Sequence, residues 1–325
     1  MPNAGLITTA AAAIAATLGA GAYLMGWFSA DTQDPAALAE QIKAEAIYVA
    51  PATFGAGNYD VDVYTPDGGV ETRPVAYTDD TRPAQEVTLA GFYMSPYLAS
   101  NAEYAAFRAA TGRKTLPDDG PVNWDAPDVA AAMPFHEAEA FCAWLGEVTG
   151  LPFSLPTEDQ WELAARSGGH TVPWATSDGT WKKGETIWAP TTDGFVADRP
   201  TRGQVPPNPM GFGDMTGAVG DWVITPDTEA RIIKGASYFD ATIPTRGVIA
   251  PSTREALVAQ GELGEAQLEM LGDLEAGFFG SAGVRCVINM AQGPEDSGFG
   301  KPAGVATDLP DIHGPYDEQH RLIPR

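Results

Sequence analysis

The segment 154–166, SLPTEDQWELAAR, places the strongest local constraint on the fold of this chain. Thr157 and Gln160 have capping-box spacing, in which each side chain satisfies a backbone amide at the start of a helix. A helix is therefore predicted to begin just after Thr157. Its predicted buried face consists of Trp161, Ala164 and Ala165.

The composition favours a mixed architecture that is rich in loops. The chain has 36 glycines and 27 prolines among 325 residues, and its apolar runs are short, apart from one near the N-terminus. Glycine and proline at this frequency are typical of irregular segments around a few helices and strands. Two further amphipathic helices are predicted, one from about Asn101 and one that ends at Gly150. The fold class is therefore α+β.

Three blocks follow the first one in a fixed order: PNPMGFGDMTGAVGDW at 207–222, KGASYF at 234–239 and GVRC at 283–286. Together the four blocks resemble the formylglycine-generating-enzyme family, whose sulfatase-modifying-factor domain has a C-type-lectin-like fold. The resemblance implies such a domain over residues 86–290, and an acidic helical insertion is predicted at 254–274.

Only two cysteines occur, Cys142 and Cys286, and two buried thiols commonly remain unbonded in a protein core. Their blocks match family segments whose cysteines pair in several secreted relatives. The resemblance therefore implies a Cys142–Cys286 disulfide. Because disulfides persist outside the cytoplasm, an external domain is expected.

The family's oxidase chemistry uses two cysteines just after the Gly-x-Ser block, and this chain has Asp240 and Thr245 there. Soft thiolates hold copper(I), whereas carboxylate and hydroxyl oxygens suit it poorly. We therefore expect the family's copper-dependent oxidase activity to be absent. The sequence leans against an enzyme without excluding one.

Calcium is the metal that the resemblance favours. Relatives build a structural calcium site from an Asn-Ile-Trp block and an Asp-Gly-Phe block, and the corresponding positions here are Thr186, Ile187, Asp193 and Phe195. A simple Asp-Gly turn explains the second block nearly as well. The four histidines are scattered without metal-ligand spacing, which disfavours an iron site.

Residues 5–28 contain no charged side chain, and as a helix they could cross the roughly 30 Å hydrocarbon core of a membrane. We predict that residues 1–28 form a membrane anchor or uncleaved signal; a cleaved signal peptide is the alternative. With the disulfide, this anchor predicts an inner-membrane protein whose domain faces the periplasm. Residues 29–85 are assigned to a linker and N-terminal extension, and 291–325 to an extended tail.

The formal net charge of -24 disfavours nucleic-acid partners and suits a basic protein partner. The favoured function is a non-catalytic, membrane-anchored periplasmic subunit that binds or supports other subunits of a complex. One alternative is a periplasmic oxidase or maturation factor of the same superfamily with non-standard metal ligands. Another is a lectin-like receptor for a ligand.

Overall fold

The computed structural model describes residues 34–65, 67–76, 81–113, 126–188, 199–217, 219–225, 231–235, 247–249, 282–307, 309 and 312–313. The helices in these ranges are α1 (Pro35–Glu45), α2 (Asn101–Thr111), α3 (Phe135–Thr149), α4 (Glu158–Ala165) and α5 (Pro294–Ser297). The strands are β1 (Ile47–Val49), β2 (Ala52–Ala56), β3 (Asp60–Tyr64), β4 (Val70–Pro74), β5 (Gln85–Leu89), β6 (Phe92–Met94), β7 (Phe153–Ser154), β8 (Gly220–Val223), β9 (Arg231–Lys234), β10 (Gly247–Ile249), β11 (Ala282–Gly283), β12 (Val287–Ile288), β13 (Lys301–Pro302) and β14 (Ile312–His313).

The described strands form sheets of five, four, three and two strands, so the mixed α+β class is confirmed. The five-stranded sheet has the order β13-β1-β6-β12-β7, and the four-stranded sheet has the order β10-β9-β8-β11. In the three-stranded sheet, β3 lies between β14 and β4, while β2 pairs only with β5. Strands from both ends of the described chain thus meet in one sheet.

The helix ends follow from local sequence. The Thr157 hydroxyl accepts from the Gln160 amide at 3.2 Å, and the Gln160 side chain accepts from the Thr157 amide at 2.9 Å. The predicted capping box of α4 is therefore confirmed. Ser100 and Glu103 form the same motif at α2, and α3 ends at Gly150 in the left-handed conformation that glycine adopts readily. Trp161, Ala164 and Ala165 are all buried, as predicted.

Residues 35–49, within the segment assigned to a linker and N-terminal extension, belong to the packed fold. Helix α1 begins at Pro35, a residue type favoured in the first turn of a helix, and packs on α3 and α2. Its residues Leu38, Ala39 and Ile42 are buried in the same apolar cluster as Phe141. Strand β1 then pairs with β6 at the centre of the five-stranded sheet.

Part of the predicted extended tail lies on the domain as well. Strand β13 pairs in parallel with β1, and the Tyr93 hydroxyl donates a hydrogen bond to the Gln292 carbonyl at 2.7 Å. The rings of Tyr93 and Phe299 are 4.8 Å apart, centre to centre. Residues 291–307 therefore contribute to the fold, whereas residues 314–325 lie outside the described ranges.

Two other predicted segments also lie outside the described ranges, namely the apolar stretch 5–28 and the acidic insertion 254–274. Within the part of the chain that the structure describes, no helix has both the length and the apolar character needed to cross a bilayer.

Candidate binding cleft and its disulfide

A cleft of about 300 Å³ opens between α1 and the loop that follows β6. Helix α1 contributes Gln41, Ile42 and Glu45, and the loop contributes residues 95–97 and Ala99. Glu103 at the start of α2 and Arg202 from a distant loop complete much of the polar wall. The volume falls at the lower end of the range usual for small-molecule pockets.

The floor of the cleft is apolar and contains half of a disulfide. Ile42, Phe141, Val284 and Cys286 supply it, and each is at least nine-tenths buried. Cys286 is bonded to Cys142 of α3, with 5.6 Å between the Cα atoms, so the disulfide implied by the family resemblance is present. It joins α3 to the segment that precedes β12.

The loop behind the cleft is held against the GVRC block by backbone hydrogen bonds. The Ser95 amide donates to the Cys286 carbonyl at 2.9 Å, and the Ala99 amide donates to the Val284 carbonyl at 2.8 Å. A side chain at Gly213 would overlap the Tyr97 ring, so glycine is needed there for Tyr97 to take its place in the wall. The GFG sequence at 211–213 thus has a packing role.

Arg285 fixes the same loop from inside the protein. Its side chain is fully buried and donates to the Ser95 and Pro96 carbonyls, and to the Gly213 carbonyl at 3.0 Å. Its Nε donates to Asp221 Oδ1 at 2.9 Å. Five donors in a rigid fork allow arginine to serve several acceptors in this way. The arginine of the GVRC block is therefore a structural centre for the cleft wall.

Charge in the cleft is predominantly negative. Glu103 Oε2 accepts from Arg202 Nη1 at 2.7 Å, and the same Arg202 nitrogen donates to the Leu98 carbonyl at 2.9 Å. That pair is neutral as a unit. Glu45 and the exposed Asp128 line the cleft without forming an ion pair with any described residue.

Buried carboxyl groups lie behind the cleft. Burial raises the pKa of Asp221, and the neighbouring Arg285 guanidinium opposes that shift. Burial likewise raises the pKa of Asp214, against a hydrogen bond from the Gly203 amide and the charge of Arg285. Asp214 Oδ1 is buried and has no hydrogen-bond partner among the described residues, which agrees with the direction of its shift.

The raised pKa of Asp214 predicts a pH-dependent contribution to stability. A carboxyl whose pKa is higher in the folded state stabilises the fold below its unfolded pKa, and that contribution is lost as pH rises through the folded pKa. We expect the stability of Asp214→Asn, relative to the natural protein, to increase as pH rises above about 4. Urea unfolding at a series of pH values measures this difference.

Asp67→Asn is the matched control for that experiment. The Thr65 hydroxyl lowers the pKa of the Asp67 carboxyl below its ordinary value of 3.8, so the carboxyl titrates below that pH. Its stability difference should stay level where that of Asp214→Asn rises. A level difference for both variants would overturn the assignment to Asp214.

The other residues singled out from the sequence are not all within the described ranges. Asp240, Thr245, Asp193 and Phe195 lie outside them. Their roles stay predictions.

The other half of the calcium prediction, Thr186 and Ile187, is described. The Thr186 hydroxyl donates to the Thr180 carbonyl at 2.8 Å and accepts from the Lys182 amide at 3.0 Å. The Ile187 carbonyl accepts from the Gly184 amide at 2.8 Å. Each oxygen therefore has at most one lone pair left for a cation, and the described half of the set fits a structural turn as well as a calcium site.

Sequence reasoning missed most of the cleft. The Ser100–Glu103 spacing is a capping-box signal that could have located Glu103, and the apolar spacing of α1 could have placed that helix on the core. Asp128 and Arg202 carry no such local signal. They meet because the Arg202 amide donates to the Asp128 carbonyl at 3.1 Å across a long sequence separation.

Residues 49–264 match the family described as "Sulfatase-modifying factor enzyme 1-like domain". Among curated proteins, the chain is similar to inactive C-alpha-formylglycine-generating enzyme 2 of Bos taurus, with 32% identity over 121 residues, 33% of this chain and 37% of that protein. It is also similar to the formylglycine-generating enzyme of Mus musculus, with 27% identity over 206 residues, 46% of this chain and 53% of that protein. The matches thus span between about a third and about half of these relatives.

Solved structures show the same fold at low sequence identity. PvdO from Pseudomonas aeruginosa aligns with a TM-score of 0.51 and 20% identity, over 75% of this chain and 94% of that one. CarF aligns with a TM-score of 0.50 and 15% identity, over 77% of this chain and 99% of that one. At these identities the likeness concerns the fold alone.

Proposed function

We infer the function of this chain from the fact that it belongs to the family of sulfatase-modifying factor enzyme 1-like domains. We propose that it is a non-catalytic member of that family. In this proposal it is a membrane-anchored subunit, on the periplasmic face of the inner membrane, that binds or supports other proteins of a complex.

The proposal of a non-catalytic member depends on the bonding of the two cysteines. The chain has two cysteines, and both are committed to the buried Cys142–Cys286 disulfide. A disulfide sulfur is not a thiolate, and copper(I) in proteins is held by thiolate or thioether ligands. Asp240 and Thr245 offer oxygens in place of the family's two cysteines, so the residues at these two positions do not fit copper(I).

The comparisons with known proteins also favour the absence of catalysis. The bovine relative with 32% identity is named as an inactive formylglycine-generating enzyme. The match covers about a third of each chain, so the inactivity of this protein remains part of the proposal.

The location in the proposal rests on two features. Residues 5–28 lack charge over a length that can cross a membrane as a helix, and disulfides persist in oxidising compartments such as the periplasm. The net charge of -24 favours a basic partner, because complementary charge speeds association and suppresses wrong partners.

Metal content and oxygen uptake test the absence of catalysis. We expect the purified full-length protein to contain no stoichiometric copper or iron and to consume no oxygen in the presence of a cysteine-containing peptide. Stoichiometric copper together with oxygen uptake that Asp240→Ala abolishes would overturn the proposal in favour of an oxidase with non-standard ligands.

Purification from membranes in mild detergent tests the role as a subunit. We expect basic companion proteins to co-purify at low salt and to dissociate as salt screens the charges. A variant lacking residues 5–28 is the matched control and should lose membrane association. A monomer that co-purifies with no companion at low salt would overturn the subunit role while leaving the absence of catalysis intact.

A further inference from the structure

We propose that the cleft beside the disulfide binds a small organic cation, namely an ammonium or guanidinium group carried on a short aliphatic chain. This proposal deepens the binding role proposed above and rests on it. The same chemistry occurs in free alkylamines and in lysine or arginine side chains of a partner.

The charge of the cleft wall favours a cationic ligand. Glu103 and Arg202 compensate each other, which leaves Glu45 and Asp128 as the carboxylates without a cationic partner among the described residues. The neighbouring Lys43 of α1 is paired with Glu40 and lies 5.8 Å from the centre of the Phe299 ring. An anion entering the cleft would meet two uncompensated negative charges, whereas a cation would be attracted by both.

The apolar floor of the cleft favours a ligand with an aliphatic chain. The buried side chains of Ile42, Phe141 and Val284 lie beneath the polar wall, next to the Cys286 sulfur. An inorganic cation would leave this apolar surface uncovered, whereas an aliphatic chain would cover it and be stabilised by the burial of its methylenes. Within the described ranges, no three histidine, cysteine or acidic side chains converge in a way that could hold a metal ion.

The walls and floor of the cleft are held rigidly in place. The cleft wall at Ser95 and Pro96 is fixed by Arg285, and the floor is fixed by the disulfide at Cys286. Helix α1 is packed through Leu38 and Ile42. A preformed pocket avoids the entropy cost of ordering its walls when the ligand enters.

Calorimetric titration of the full-length protein with n-pentylammonium tests the proposal. We expect saturable binding that is at least about tenfold tighter than binding of 1-pentanol, its neutral counterpart, and that weakens as salt is added. Glu45→Gln and Asp128→Asn should each weaken pentylammonium binding about two- to fivefold, the range of a solvent-accessible ion pair. Neither substitution removes a packing group: a glutamine at 45 can still accept from Gln41, and Asp128 contacts Arg202 through its backbone carbonyl.

Glu147→Gln is the matched control, because it removes the same charge from an exposed position of α3 outside the cleft. It should leave pentylammonium binding unchanged. Equal weakening by Glu147→Gln, or binding of 1-pentanol as tight as that of pentylammonium, would overturn the proposal.

Lysine amide with a blocked α-amino group distinguishes the two sources of the cation. If it competes with pentylammonium, the pocket accepts a protein side chain; if only pentylammonium binds, the pocket is specific for a free amine. Both results support the cation chemistry. If neither probe binds, the proposal is overturned, and that result has no bearing on whether companions co-purify.

Discussion

Replacement of both Cys142 and Cys286 by alanine lowers the free energy of unfolding by about 2–5 kcal/mol. The two cysteines are separated by 144 residues, and a bond that closes so long a loop restricts the unfolded chain strongly. In the chain-entropy model that restriction amounts to about 5 kcal/mol, and measured effects are commonly smaller. Urea unfolding of the two proteins, each monitored by tryptophan fluorescence, measures the difference.

The natural protein unfolded in the presence of a reductant is the control for this variant. Because reduction removes the same bond without changing the side chains, it should lower stability by a similar amount. A double variant as stable as the oxidised natural protein would mean that the bond does not constrain the unfolded chain. Pentylammonium binding should also weaken in the double variant, since Cys286 forms part of the cleft floor.

Replacement of Arg285 by methionine has the second large effect, a loss of about 3–5 kcal/mol. The substitution leaves Asp221 fully buried without its cationic partner, and it removes hydrogen bonds from the Ser95, Pro96 and Gly213 carbonyls. An uncompensated buried charge costs far more than the pair it came from contributes. Chemical denaturation gives the change, and calorimetric titration with pentylammonium reports whether the cleft wall has loosened.

Two further variants separate the charge from the hydrogen bonds. Arg285→Met combined with Asp221→Leu should be less destabilised than Arg285→Met alone, because no buried charge then remains unpaired. Arg285→Lys keeps the charge but offers a single nitrogen to four acceptors, so we expect an intermediate loss. A loss below about 1 kcal/mol for Arg285→Met would show that the network does not hold the fold.

A second set of buried ion pairs surrounds α4. Glu158 and Glu162 belong to α4, yet both are buried and paired with bases: Glu158 with Lys234 at 3.2 Å, and Glu162 with Arg166 at 3.1 Å. Burial raises the pKa of Glu162, and Lys234 and Arg166 oppose that shift. The capping box predicts the helix, but only packing shows that these carboxylates stabilise its surroundings.

Local sequence determined the helix boundaries of this protein. The capping boxes at Ser100 and Thr157 and the glycine end of α3 depend on residues within one helical turn, so their physical causes can be read along the chain. The disulfide was implied by family blocks rather than by spacing, since two cysteines so far apart carry no local signal.

Tertiary structure alone decided where the cleft lies and how it is charged. Glu45, Asp128 and Arg202 come from three separated segments, and neither their proximity nor the compensation of Arg202 by Glu103 follows from any local pattern. The same holds for β13, whose place beside β1 depends on pairing across most of the chain. Caps and turns are short-range interactions between neighbouring residues, whereas a pocket forms only where distant segments pack against each other.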